Sequence, residues 1–126
     1  MGHFSQKSID KLAGVNPLLQ DLAFAVIQSH DCTVLYGMRT ESEQAKLVAE
    51  GKSRTMNSKH LTGDAIDLAP YPIDWDNIKR FYYFGGIVMG IAERMNIPIR
   101  WGGDWDMDDD LDDQSFMDLV HFEIVQ

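Results

Sequence analysis

The sequence predicts an α+β domain in which helices pack on a small sheet. Two observations carry that prediction. Apolar residues return at helical spacing in some segments and form alternating or β-branched runs in others, giving the order helix, strand, helix, strand, helix, strand, strand. The chain has 126 residues, 44% of them hydrophobic and 25% charged, which suits one folded domain over residues 1–126 with a real core.

The elements follow in order. In "NPLLQDLAFAVIQS", residues 16–29, Asn16 can cap a helix, Pro17 suits its first position, and Leu18, Leu19, Leu22 and Val26 share a face. "CTVLYGM" has the β-branched and aromatic content of a strand. Cys32 is the single cysteine, so no internal disulfide forms, and its apolar setting marks it as a small buried residue. "TESEQAKLVAEG" reads as a second helix, with Thr40 and Glu43 in capping-box register and Gly51 as its stop.

"SRTMNSKHLTGD" is polar and turn-rich, a loop leading into the strand "AIDLA". There Ile66 and Leu68 point into the core, leaving Asp67 on the opposite face with Ala65 and Ala69. Pro70 and Pro72 end the strand, and "DWDNIKRFYYFGGIVMGIAERMN" is a long helix capped by Asp74 or Asp76. Gly85, Gly86 and Gly90 inside it predict close packing or a kink. "IPIRW" gives a third strand, an acidic loop runs from Asp104 to Asp113, and "LVHFEIV" is the fourth strand.

A net charge of -9 argues against nucleic acid and against anchoring on an anionic membrane, since both need clustered Lys and Arg. The first residues lack the pattern of a signal peptide, and the longest apolar stretch, "FYYFGGIVMGIA", is too short to span a bilayer. The expectation is synthesis in the cytoplasm, with no stable membrane association.

Alternation in "LVHFEIV" places Val120, Phe122 and Ile124 on one face and Leu119, His121 and Glu123 on the other. His121 then faces the same kind of surface as Asp67. With His60 on the turn beside Asp67, two imidazoles and one carboxylate can surround one metal ion, leaving a fourth position for water as in catalytic zinc sites. Zinc acidifies that water and polarises a carbonyl, which makes amide hydrolysis the natural reaction. A general base must lie within a hydrogen bond of the water. Asp118 and Glu123 are the candidates; strict alternation favours Glu123 unless Asp118 precedes the strand or sits at a bulge, and the pattern leaves this open.

"SKHLTGDAID" followed by "DLVHFEI" resembles the paired motif SxHxxGxAxD and (D/E)xxH of the LAS zinc peptidases. These are the D-Ala-D-Ala carboxypeptidases and dipeptidases and the L-alanyl-D-glutamate endopeptidases of phage endolysins. "YGMRTESEQAKLVAEGKS" is similar to the family's arginine-bearing strand and Gln-containing helix, so the resemblance runs from Val34 to Val125. Short length, no signal peptide and no cell-wall-binding module fit the single-domain phage endolysin branch. The resemblance implies a mainly antiparallel sheet with packed helices, like the hedgehog and D-Ala-D-Ala peptidase domains. It implies His60, Asp67 and His121 as Zn2+ ligands, Asp118 as catalytic base just before the strand proper, and Arg39 holding or polarising the substrate. Ser58 assists binding, and Glu123 becomes a partner of the ligands rather than the base.

The function so implied is zinc-dependent hydrolysis of the L-Ala–D-Glu bond in peptidoglycan stem peptides, by a monomer held in the host cytoplasm until lysis. The alternatives are a D-Ala-D-Ala carboxypeptidase or dipeptidase on the same scaffold, and a zinc-stabilised binding module without hydrolysis. His3 and His30 read as surface residues, and Asp64 as turn chemistry. Asp104, Asp106 and Asp108 recur at the odd positions of a calcium loop, but Asp109 and Ser115 stand where that loop has glycine and glutamate. Ca2+ there competes with a solvated acidic loop.

Overall fold

The computed structural model describes residues 2–52, 58–104, 107 and 118–125. A helix absent from the sequence prediction comes first: α1, Gln6–Lys11. It is under two turns long, too short to show an amphipathic repeat, and leans on tertiary bonds. The Ser8 hydroxyl accepts from Val34 N–H at 3.2 Å and lies 3.1 Å from the Thr33 hydroxyl.

Helix α2, Pro17–Ser29, starts where expected, with the Asn16 side chain accepting from Leu18 N–H at 2.9 Å. Strand β1 is Cys32–Tyr36. Cys32 is buried, and burial, then the neighbouring Asp31 charge, push its thiol up to about 12. Helix α3, Glu41–Ala49, carries the expected capping box: Thr40 Oγ1 accepts from Glu43 N–H at 3.1 Å, and Glu43 accepts from Thr40 N–H at 3.0 Å. A 3-10 turn, Lys59–Leu61, leads into β2, Ala65–Pro70.

Helix α4, Ile78–Arg94, corrects the predicted cap. Asn77 caps it, while the Asp74 carboxylate already accepts from Asp76 N–H at 3.1 Å in the turn ahead. Of its glycines, only Gly85 is fixed by packing, because an added Cβ would lie 2.1 Å from the Trp101 ring; nothing in the structure explains Gly86 or Gly90, which face open space. Strands β3, Ile99–Gly102, and β4, Asp118–Ile124, complete the described elements.

The four strands form one antiparallel sheet in the order β1-β2-β4-β3, the predicted α+β architecture. Helices α2 and α4 cover one face, where Leu22, Val26, Phe84 and Val88 meet Ile66, Leu68 and Phe122. The other face carries Asp67, His121 and Glu123, and all six residues of β2 are buried.

The predicted alternation fails in β4. Trp101 pairs with Phe122, yet the next residue, Gly102, pairs with Asp118, so a single step along β3 spans four positions of β4. This bulge resets the parity. Leu119 packs on the core and Val120 lines the cleft with Asp67, the reverse of the expected faces. The Trp101 indole donates to Leu119 C=O at 2.9 Å and pins the bulge.

Candidate active site

The turn between His60 and Asp67 is built from local bonds. Ser58 caps it, its hydroxyl accepting from His60 N–H at 3.2 Å. Gly63 takes φ +80, and a Cβ there would meet Gly14 C=O at 2.6 Å, so conformation and space both demand glycine. Asp64 accepts from the Asn16 amide at 3.1 Å and the Thr62 hydroxyl at 3.0 Å, the turn chemistry expected of it. The chain thereby folds back until His60 Nε2 is 3.1 Å from Asp67 Oδ1.

His121 is the cross-strand partner of Asp67, so both side chains leave the sheet on one face. His121 Nδ1 lies 3.2 Å from the same Oδ1, and the two imidazoles meet edge to face at 5.1 Å. One ligand atom from each of His60, Asp67 and His121 falls within 4.8 Å of the others, and all three residues are buried.

Proton positions follow from the outer nitrogens. His60 Nδ1 is 2.7 Å from Gly37 C=O, and His121 Nε2 is 2.7 Å from Glu123 Oε1. A carbonyl and a carboxylate only accept, so both outer nitrogens carry hydrogen. In neutral rings the inner nitrogens are then lone pairs aimed at one carboxylate oxygen. Only a proton or a cation between them makes that contact attractive, and the donor set suits a metal ion.

Without an ion, a proton fills that role. Burial pushes the Asp67 carboxyl up, but hydrogen bonds from His121 and His60 outweigh it and hold the group well below the usual carboxylate range. Burial likewise pushes His121 down, yet bonds to Asp67 and Glu123, with the Asp67 and Asp118 charges, raise it to about 9. Against burial, His121 and Arg100 lower Glu123 to about 2. Arg100 lies 2.8 Å and Lys59 3.7 Å from Glu123 Oε2, a clamp on the residue that orients His121. Asp118 moves the other way, raised by burial first and by the Asp67 charge second.

Asp118 and Asp67 share a cleft of about 710 Å³ with Tyr36, Glu43, Trp75 and Val120. Arg39 stands beside it, side chain 10% exposed, with Nη2 3.4 Å from Asp67 Oδ2 and Nη1 donating to the buried Gln44 at 3.0 Å. Its guanidinium lies 4.7 Å over the Tyr36 ring, and its Nε is buried without a hydrogen-bond partner among the described residues.

The sequence model of the phage L-alanyl-D-glutamate peptidase family matches residues 1–125. The chain belongs to that family. This peptidase is 34% identical over 133 residues to the L-alanyl-D-glutamate peptidase of Escherichia phage T5, covering 97% of each chain. It is 31% identical over 110 residues to the L-alanyl-D-glutamate peptidase of Listeria phage A118, covering 75% of this chain and 36% of that one, about a third of the longer relative. The crystal structure of the L-Ala D-Glu endopeptidase ChiX of Serratia marcescens superposes with a TM-score of 0.77 at 27% identity, covering 94% of this chain and 86% of that one.

In this peptidase the fold brings His60, Asp67 and His121 together, with Asp118 and Arg39 beside them. Ser58 is half-buried, its hydroxyl engaged in capping the turn. Asp104 bridges to Trp101, whereas Asp106 and Asp108 lie outside the described residues. His3 is exposed, and His30 sits 3.0 Å from the Ser29 hydroxyl, apart from the site. Gly37 C=O, Lys59, Arg100 and Trp75 are the participants that sequence reading missed. The first is backbone and carries no residue signal; the others become neighbours of Glu123 or of the cleft only through the sheet order. No helix of the described residues is long and apolar enough to cross a membrane.

Proposed function

We propose that the protein is a zinc-dependent peptidoglycan peptidase that cleaves the L-Ala–D-Glu bond of stem peptides, a one-domain monomeric phage endolysin waiting in the host cytoplasm until lysis. The observation that carries the metal reading is the convergence of His60 Nε2 and His121 Nδ1 on the one oxygen Asp67 Oδ1, while both outer ring nitrogens are held by acceptors. His60 Nε2, Asp67 and His121 Nδ1 would hold the ion. Zinc bound there supplies Lewis acidity, acidifying water and polarising the scissile carbonyl.

The chain's own groups do the rest. Asp118 takes a proton from the attacking water and passes it to the leaving amine, placed for that role beside Asp67 in the cleft. Arg39 directs guanidinium N–H groups at the substrate oxygen where negative charge develops, held for that task by Gln44 and Tyr36. Glu123, clamped by Arg100 and Lys59, fixes the His121 tautomer. Ser58 sets the His60 turn and contributes to substrate binding.

Mass spectrometry of fragments released from purified peptidoglycan tests the reading, with Asp118→Ala alongside. The expected products are peptides beginning at D-Glu and glycan retaining L-Ala, with turnover at least about a hundredfold lower in the variant. Loss of terminal D-Ala alone would establish the carboxypeptidase instead, and no release with zinc still bound the binding module. For the acidic run, calcium binding rests on the spacing of Asp104, Asp106 and Asp108 alone. A melting temperature unmoved by calcium would remove it.

A further inference from the structure

Trp75 is 59% exposed on the wall of the cleft that holds Asp67 and Asp118. An indole left that open forgoes a large apolar burial. Its position is nonetheless fixed. It sits in the Asp74–Asn77 turn, closed by Asn77 N–H to Asp74 C=O at 3.1 Å and by Asp76 N–H to the Asp74 carboxylate at 3.1 Å. One face of the ring stacks on the buried Phe81 at 5.3 Å with an interplanar angle of 10°. Beyond that stack the ring is open, and Trp75 lines the cleft.

Resting on the peptidase reading above, we infer that Trp75 is a subsite for the pyranose ring of the muramyl residue that carries the stem peptide. The scissile bond follows L-Ala, whose amino group is joined to the sugar through the short lactyl arm. Two links of about 3.5 Å each put the ring roughly 7 Å from the cleaved carbonyl, within a cleft this large. The axial C–H groups of a pyranose form a flat, weakly positive surface that suits the negative face of an aromatic ring. A rigid indole presented by one face is the matching partner. In the same cleft Asp10 and Lys11 offer an acceptor and a donor to sugar hydroxyls.

The test compares kcat/KM for a muramyl peptide and for the same peptide N-acetylated in place of the sugar, using zinc-loaded protein. The wild type should prefer the muramyl peptide at least threefold, mainly through KM. In Trp75→Ala the ratio between the two substrates should fall three- to tenfold, the size of one aromatic-face contact, and Trp75→Phe should retain most of it. Equal wild-type rates on the two peptides overturn the subsite, and need no variant. So does an unchanged ratio in Trp75→Ala, which would mark the indole as support for Phe81, or a gain found only on lengthening the peptide beyond D-Glu. Cleavage of neither peptide would instead overturn the L-Ala–D-Glu reading, and the subsite with it.

Discussion

In metal-free protein His121 and Glu123 respond to pH in opposite senses. His121 rises from 6.5 to about 9 on folding, so its stabilising contribution is complete below about pH 6.5 and lost as pH climbs through about 9. Glu123 falls from 4.5 to about 2, so its contribution is complete above about pH 4.5 and lost as pH drops through about 2. Chelated protein should therefore melt at its highest temperature between about pH 4.5 and 6.5 and lose stability by pH 9, whereas saturating zinc should flatten that alkaline decline. Thermal unfolding from pH 4.5 to 9.5 with and without chelator checks this; a chelated melting temperature that holds through pH 9 would refute it. At this scale the sequence was most informative. His60 and Asp67 stand either side of a glycine that only a tight turn requires, and such a spacing survives any sheet order. Gly37 C=O, which settles the His60 tautomer, is invisible because every residue has a carbonyl.

Helix ends were legible wherever the cap is local, as at Asn16 and Thr40. The start of α4 was not, because three polar residues compete there and the Asp74 turn decides between them. Helix α1 escaped because its stability comes from Ser8 bonding to β1 rather than from its own pattern. The β4 bulge left no mark either: "DLVHFEI" reads as smooth alternation, and only pairing with Trp101 and Gly102 breaks it. That break puts Asp118 and Val120 on the site face, reversing what parity alone gives them, while Glu123 stays with His121 as simple alternation has it. Within α4, Gly86→Ala and Gly90→Ala should each stabilise by up to about 1 kcal/mol, since both positions face open space. Gly85→Ala should destabilise by about 1–3 kcal/mol through overpacking on Trp101. Urea unfolding of the three variants separates them, and a neutral Gly85→Ala would show that α4 shifts freely.

For the molecule as a whole, the segments were legible but their order in the sheet was not. β4 inserts between β2 and β3, and this non-local choice is what carries His121 to Asp67 across 54 residues of sequence. The net charge of -9 also acts at this scale. Approach to an anionic cell wall is opposed by long-range repulsion that salt screens with a Debye length of about 8 Å at physiological strength. Hydrolysis of intact sacculi should thus speed up several-fold between about 10 and 150 mM salt, with a smaller change on a short soluble muramyl peptide. Equal salt responses on both substrates would place the effect inside the cleft.

Strand β2 has no free side: Ile66 and Leu68 fill the core while Asp67 holds the imidazoles, and every position is buried. A strand occupied on both faces has no latitude for drift, so new specificities on this scaffold must come from its rim. The Asp74–Asn77 turn and the Gly37–Arg39 loop are where a lineage adapting to a differently decorated cell wall has room to vary.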